Sequence, residues 1–156
     1  MKPWTLFAVL TFSLAPGLAE EPKGVPVEIK ELIRNFYDAC NAGDWAIADS
    51  LCLLPFYLDN GPWNDREKLK ATVIDSFQGS NIRNITLEVF DVSKTKPTLT
   101  KKASDFLKDG DQLIGIQYDI GTPQGVQHPS GVLIVRRELN RLWITGITWQ
   151  IKKATP

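Results

Sequence analysis

Apolar residues recur at helical spacing through the first half of the chain. Over residues 27–40 they lie three or four positions apart, which predicts a helix with one buried face. That face would consist of Ile29, Leu32, Ile33, Phe36, Tyr37 and Cys40. Gly43 suits the left-handed end of this helix, and Asp44 suits the N-cap of a second helix that Pro55 would stop. The buried face of the second helix would be Trp45, Ala48, Leu51 and Cys52. A third helix is predicted to follow Asn64 as its N-cap.

The second half of the chain changes to the two-residue period of strands. The stretches here that predict strands are 85–89, 112–120, 132–139 and 142–151, and the short aromatic stretch 56–60, before the third helix, predicts one more. Between them, residues 94–108 are predicted to be a polar excursion with one helical turn, and residues 121–131 a loop. This order indicates an α+β fold, with three N-terminal helices packed on a curved antiparallel sheet of about four to six strands. Such a sheet can be apolar on the face that packs against the helices and solvent-exposed on the other face.

The N-terminal residues have the order of a secretory signal peptide. Lys2 precedes an uncharged, mostly apolar run over residues 4–14, and small residues occupy the two positions that a signal peptidase reads, Gly17 and Ala19. The run is shorter than the about 20 apolar residues that a membrane span needs. We therefore expect export to the periplasm or the medium, with cleavage after Ala19. The expected division is signal peptide 1–19, mobile leader 20–26, domain 27–151 and tail 152–156.

The composition narrows the classes of partner. The sequence carries 18 Lys and Arg against 18 Asp and Glu, without a basic stripe, so we expect no nucleic acid partner. No later stretch is apolar for long enough to predict a membrane span. One histidine and two cysteines do not make a zinc ligand set, and we expect no metal and no cofactor. A disulfide between Cys40 and Cys52 is possible, but two buried free thiols are favoured by the helical prediction.

Four short segments carry a resemblance to a known family. They are residues 36–44 (FYDACNAGD), 56–61 (FYLDNG), 64–69 (NDREKL) and 143–147 (WITGI). In order and spacing they resemble the nuclear transport factor 2-like superfamily, which includes ketosteroid isomerase and the SnoaL-like polyketide cyclases. The resemblance covers about residues 27–151 and implies a cone-shaped fold with a central pocket. The pocket would lie between the helices and the concave face of the sheet.

The chain departs from the isomerase pattern at two positions. Aligned on Gly43 and Asp44, the isomerase's general base falls on Asn60, with Asp59 one residue earlier. The oxyanion-hole tyrosine falls on Phe36, which has no hydroxyl to donate. Both changes count against isomerase chemistry.

Asp59 is the best acid or base candidate in the sequence. A carboxylate between Tyr57 and Trp63 could have a raised pKa and accept a proton in an aromatic cleft. The simpler interpretation is that Asp59, Asn60 and Gly61 form a turn, since all three residue types favour turns, and we prefer it.

Two further polar groups are candidates of lower rank. His128 is the only histidine, but the sequence offers no residue to orient its ring, so an ordinary surface histidine is favoured. Of Arg136 and Arg137, neighbours on a strand, one side chain should face inward. It could pair with Asp59, Asp119 or a ligand anion, and the simpler interpretation is a surface ion pair.

Aromatic side chains are the more informative set. Large rings with polar tips suit the wall of a ligand pocket. The ligand-binding candidates are Phe36, Tyr57, Trp63, Tyr118 and Trp149.

Three functions fit these observations. The first is a non-enzymatic domain whose pocket binds a small apolar or amphipathic molecule, or whose sheet face binds a partner. The second is an isomerase-, cyclase- or hydrolase-type enzyme with Asp59 as acid or base. The third is a structural homodimer that associates through the sheet face and has a vestigial pocket.

Overall fold

The computed structural model describes residues 24–58, 61–77, 79–90 and 101–148. Its helices are α1 (Val27–Ala42), α2 (Trp45–Ser50), α3 (Arg66–Leu69), a π-helical stretch (Lys70–Ile74), α4 (Asp75–Phe77) and α5 (Lys101–Phe106). Its strands are β1 (Cys52–Leu58), β2 (Gly61–Trp63), β3 (Arg83–Val89), β4 (Gln112–Thr122), β5 (Gly125–Gln127), β6 (Ser130–Glu138) and β7 (Arg141–Thr148). The expected signal peptide and the candidates Asp59, Asn60 and Trp149 lie outside the described residues.

The first helix confirms the helical periodicity. α1 buries all six residues of the predicted face, together with Ala39. It ends at Gly43, which adopts the left-handed conformation with φ 68° and donates its backbone N–H to the carbonyls of Ala39 and Cys40. A residue without a side chain takes this conformation at the least cost.

The second helix begins as expected but ends early. The Asp44 carboxylate accepts a hydrogen bond from the Ile47 N–H at 3.1 Å, as an N-cap residue should. The helix stops at Ser50, however, and Cys52 already starts β1. The prediction that Pro55 ends the helix is wrong, because Pro55 lies inside β1, after a cis peptide bond. The Leu51 carbonyl instead accepts from the Ile144 N–H at 2.9 Å, so pairing with β7 replaces the last helical turn.

The third helical segment is capped one residue later than predicted. Asp65, not Asn64, accepts from the N–H groups of Glu67 and Lys68, at 3.0 and 3.2 Å. Short strands also occupy two regions predicted as turn and loop, β2 and β5.

The strands form one curved, unclosed sheet in the order β2-β1-β7-β6-β4-β3, with β5 paired to β4. The predicted α+β class is confirmed. The sheet is mixed, however, because β1 pairs with β7 in parallel, whereas the other pairings are antiparallel. It has seven strands because two segments too short to show a two-residue period, β2 and β5, join the five predicted stretches.

The sheet buries apolar side chains on both faces. The inner face packs against α1 and the α3–α4 segment through Phe56, Leu58, Ile114, Ile116, Tyr118, Leu133, Val135, Ile144 and Ile147. On the outer face, helix α5 contributes Ala103 to a second group, which we call the outer cluster: Tyr57, Ala103, Leu113, Val132 and Ile134. Part of the outer face is therefore covered by the chain itself. No helix in the described residues is long and apolar enough to cross a membrane.

Candidate functional site

Four aromatic rings meet between the helices and the inner face of the sheet. We call them the aromatic cluster: Phe36 and Tyr37 from α1, Phe77 from α4 and Tyr118 from β4. The Tyr37 ring centroid lies 5.5 Å from that of Tyr118, 5.8 Å from that of Phe77 and 5.3 Å from that of Phe36. Phe77 and Tyr118 are 6.2 Å apart, in an edge-to-face arrangement. These distances are in the range at which aromatic pairs stabilise each other.

The two phenol hydroxyls of this cluster are buried without partners. Tyr37 is 0% exposed and Tyr118 is 1% exposed. Neither hydroxyl oxygen has a hydrogen-bond partner among the described residues. A buried polar group left unpaired costs about 1–3 kcal/mol, so each such group in a folded protein calls for an explanation. The interior of this fold therefore presents two hydrogen-bonding groups that the described protein atoms do not use.

Burial keeps the interior titratable groups neutral. It raises the pKa of Tyr37 well above its ordinary value, with the neighbouring Tyr118 phenol as the next cause. Burial also raises the pKa of Tyr118, and it raises the pKa of the Cys40 thiol to about 12. At neutral pH the phenols are hydrogen-bond donors and the thiol is protonated, which makes it a poor nucleophile.

Both cysteines are buried free thiols in this structure. The pKa of Cys52 is raised, first by burial and then by the nearby Cys40. Neither side chain has the thiolate character that a reactive cysteine requires.

The structure brings some of the predicted ligand contacts together and separates others. Phe36 and Tyr118 meet in the aromatic cluster. Trp63 is half-buried against the same core, with the Lys68 Nζ 5.6 Å from its ring centroid. Tyr57 belongs to the outer cluster, where its ring lies 5.4 Å from that of Phe106. Tyr57 therefore lies on the face of the sheet opposite to Phe36 and Tyr118.

Sequence reasoning missed two members of the cluster as site residues, Tyr37 and Phe77. Tyr37 was predicted only as part of the buried helix face. The available signal was its type, because a tyrosine in the centre of an apolar stripe brings a hydroxyl into a core that must satisfy it.

His128 has an orienting partner that the sequence did not reveal. Its Nδ1 lies 2.6 Å from Oδ1 of Asp119, and Asn84 donates to Oδ2 of the same carboxylate at 2.7 Å. The hydrogen bond from Asn84, followed by that of His128, lowers the pKa of Asp119. The His128 side chain is 62% exposed, which agrees with the expected surface position. Asp119 follows Tyr118 in β4 and so points to the opposite face, away from the aromatic cluster.

The two arginines divide between the faces as a strand requires. Arg136 is buried on the outer side and binds Asp111 through two hydrogen bonds, Nε to Oδ1 at 2.8 Å and Nη2 to Oδ2 at 2.6 Å. Its guanidinium carbon lies 5.1 Å from the Phe106 ring centroid, so it also contacts α5. Arg137 forms an exposed ion pair with Glu28. Arg137 is thus the arginine on the side of α1, and neither of these partners, Asp111 for Arg136 and Glu28 for Arg137, was among those expected from the sequence.

Within the described part of the chain, no three His, Cys, Asp or Glu side chains are grouped so that they could hold a metal ion.

Comparison of the fold with solved structures finds a consistent group of relatives, although neither a family model nor a curated protein matches the sequence. A proposed ketosteroid isomerase from Shewanella frigidimarina NCIMB 400 superposes with a TM-score of 0.56 at 12% identity, over 81% of this chain and 98% of that one. Aln2 from a Streptomyces species gives a TM-score of 0.54 at 12% identity, over 80% and 88%. The association domain of C. elegans CaMKII gives 0.51 at 9% identity, over 77% and 90%.

The chain has the nuclear transport factor 2-like fold. At these identities the likeness concerns the fold alone. One fold supports unrelated functions, and the names of these relatives, an isomerase and an association domain among them, differ accordingly. The function of this nuclear transport factor 2-like chain therefore has to be argued from its own residues.

Proposed function

We propose that the chain binds a small apolar or amphipathic molecule between its helices and the inner face of its sheet, without catalysing a reaction on it. The observation that carries the proposal is the pair of buried, unpartnered hydroxyls of Tyr37 and Tyr118. The Tyr37 and Tyr118 rings pack against each other and against Phe77, so both hydroxyls lie in a mostly apolar interior with few polar groups, the composition typical of ligand sites.

The absence of catalysis is proposed from the chemistry of the same groups. A general base near pH 7 needs a pKa near the working pH. The pKa values of Tyr37, Tyr118 and Cys40 are all raised by burial, so these side chains stay protonated and do not act as bases. The enzyme alternative that uses Asp59 remains a prediction on a residue outside the described ones.

Native mass spectrometry of the full chain purified from its own host tests binding. We expect a non-covalent adduct that is present in the native spectrum and absent under denaturing conditions. A Cys40→Leu variant adds a net two non-hydrogen atoms beside the phenols and should lose the adduct. Ala103→Val adds similar bulk to the outer cluster and should keep it. A ligand-free wild-type spectrum, or equal adducts in both variants, would contradict the proposal.

We also propose that the protein is exported with cleavage after Ala19, which the N-terminal sequence supports. The mass of the protein recovered from outside the cytoplasm should correspond to a chain that begins at Glu20. Recovery of the uncleaved chain from the cytoplasm alone would overturn this part of the proposal.

A further inference from the structure

The side chain of His128 is held in a fixed orientation although it lies on the surface. Its Nδ1 is 2.6 Å from Oδ1 of Asp119, and the Asn84 amide donates to Oδ2 of the same carboxylate at 2.7 Å. The pKa of Asp119 is lowered, so its carboxylate is ionised at neutral pH and can only accept hydrogen bonds. The proton of the neutral imidazole ring is therefore on Nδ1, and Nε2 keeps a free lone pair.

The backbone around Asn84 is irregular. Asn84 has φ 52°, in the left-handed region that is uncommon for residues other than glycine. The register between β3 and β4 also shifts between Arg83 and Thr86, which places Asn84 in a bulge. Bulges redirect side chains next to active sites, and backbone strain is concentrated at such sites. Here the irregular segment supports the amide that holds Asp119, and through it the orientation of His128.

The outer face beside His128 combines a cation, a hydroxyl and an apolar side chain. The exposed Arg83 lies directly opposite Asp119 in register, and its charge is among the causes of the lowered pKa of Asp119. Val126 and Ser130 pair with β4 residues two positions after and before Asp119, so all three side chains share the outer face. Val126 is 53% exposed. A small molecule with an apolar part and a negative charge is complementary to this surface.

We propose that His128, oriented by Asp119 and Asn84, is the general base of a hydrolytic site on the outer face for small carboxylic esters that carry a negative charge. Its ring is open to solvent and its Nε2 is the free acceptor, as a general base requires. His128 is the catalytic residue, whereas Asp119 and Asn84 are positioning residues. The site does not depend on the proposed binding function, because it lies on the opposite face of the sheet from the aromatic cluster.

The reaction consumes one water molecule. His128 Nε2 accepts a proton from the water as the water oxygen forms a bond to the carbonyl carbon of the ester. The bond between that carbon and the leaving oxygen then breaks, and the proton passes from Nε2 to the leaving oxygen. A carboxylic acid and an alcohol or phenol are released, and the neutral imidazole is restored.

Hydrolysis of two chromogenic esters by the full chain tests the proposal. The anionic ester is 4-acetoxy-3-nitrobenzoate, and its neutral counterpart of similar shape is 4-acetoxy-3-nitrobenzamide. We expect the anionic ester to be cleaved at least about tenfold faster than by free imidazole at the same concentration and pH, since a positioned general base contributes about 10²–10⁴-fold. The rate should rise between about pH 5 and pH 8, the range in which an ordinary imidazole loses its proton.

Substrate charge tests the role of Arg83. Arg83→Gln should slow cleavage of the anionic ester about two- to fivefold, the effect of one exposed ion pair, and leave the neutral ester unaffected. Glu88→Gln is the control, because it changes a charge further along the outer face of β3 and should leave both rates unchanged. Equal loss of both esters in Arg83→Gln would overturn the preference for an anionic substrate.

Orientation of the ring is tested with the imidazole retained. Gln127→His combined with His128→Gln moves the only histidine one position, onto the opposite face of the chain and away from Asp119. This double variant should lose at least about tenfold in kcat. Asp119→Asn should lower kcat about as much with KM within about twofold, because an asparagine N–H can donate to Nδ1 and so place the ring proton on Nε2.

The outcomes distinguish an oriented base from an ordinary surface histidine. A wild-type rate no faster than that of free imidazole overturns the proposal, as does a double variant that is as active as the wild type. If Asp119→Asn does not fold, Asn84→Gly replaces it, because glycine keeps the left-handed conformation and removes only the amide. Its kcat should fall about threefold, the loss of about one hydrogen bond, and an unchanged kcat would contradict the role given to Asn84.

Discussion

Asp119, in β4, contacts both the neighbouring strand β3 and His128. Its carboxylate accepts from Asn84 in β3 and contacts the His128 ring that precedes β6. Because folding lowers the pKa of Asp119, its contribution to stability is present above the ordinary carboxyl pKa and is lost as pH falls through the lowered value.

The lowered pKa of Asp119 predicts how the stability of the protein depends on pH. Asp119→Asn should lower the urea midpoint at pH 7, and its difference from the wild type should shrink as pH falls below about 4, the ordinary value of an aspartate. Urea titrations across this range measure both effects, with Asp38→Asn on the exposed side of α1 as the control. At pH 2.5, on the order of one unit below that value, the two urea midpoints should nearly coincide. A difference between them as large as the one at pH 7 would contradict the role given to Asp119.

The two arginine pairs should differ greatly in their effect on stability. Asp111→Ala removes the carboxylate that neutralises the buried charge of Arg136, and we expect a loss of about 3–5 kcal/mol in the free energy of unfolding. Glu28→Ala breaks the exposed pair of Arg137 and should cost about 0–1 kcal/mol. Guanidinium unfolding measures both, and similar losses in the two variants would show that Arg136 is not buried as described.

The identity of site residues was only partly predictable at this scale. Tyr118 and Phe36 could be found because their neighbours alternate or repeat clearly, which fixes the face that they occupy. Tyr57 could not be assigned to a face, because Phe56, Tyr57 and Leu58 are three apolar residues in succession and carry no two-residue period. The pairing of Asp119 with His128 and of Asp111 with Arg136 was missed because contacts between residues that are distant in sequence leave no local pattern.

At the scale of elements, the turn after α1 places the most specific requirement on residue type. Gly43 has φ 68°, a conformation that costs an ordinary residue about 1–2 kcal/mol. Gly43→Ala should therefore lower the free energy of unfolding by about 1 kcal/mol. Gly24→Ala, at a position with open space around the added carbon, serves as the control. Equal stability of the two variants in thermal or urea unfolding would argue against the left-handed end.

Element types were largely predictable, and the errors have a common cause. α1 and the longer strands β3, β4, β6 and β7 form where the sequence predicts them. The boundary between α2 and β1 was wrong because hydrogen bonding to β7 decides where the helix ends. The parallel pairing of β1 with β7 and the covering of the outer face by α5 are likewise tertiary outcomes. Residues 101–106 are mostly polar. Only two apolar residues, Ala103 and Phe106, indicate that this segment packs on the sheet.

At the scale of the whole molecule, α5 covers apolar surface that would otherwise favour self-association. The possible homodimer through the sheet face would have to form beside this helix or displace it. We therefore expect a monomer in sedimentation experiments. Ala103→Asp places a charge beneath α5 and should expose the outer cluster, so the sedimentation coefficient should increase with protein concentration.

The control for that experiment changes charge on the same helix without touching the sheet. Lys102→Asp alters an exposed side chain of α5 and should leave the protein monomeric. A stable wild-type dimer, or association of both variants to the same extent, would mean that α5 does not protect this face.

The position of β7 sets the order in which the chain can assemble. β7 lies between β1 and β6, in the middle of the sheet, yet it is made from residues 141–148. During synthesis, β1 and β2 therefore emerge long before the strand that joins them to the rest of the sheet. Because contacts between distant segments slow folding, the sheet should close late, and the growing chain should stay incompletely folded until residue 148 has left the ribosome.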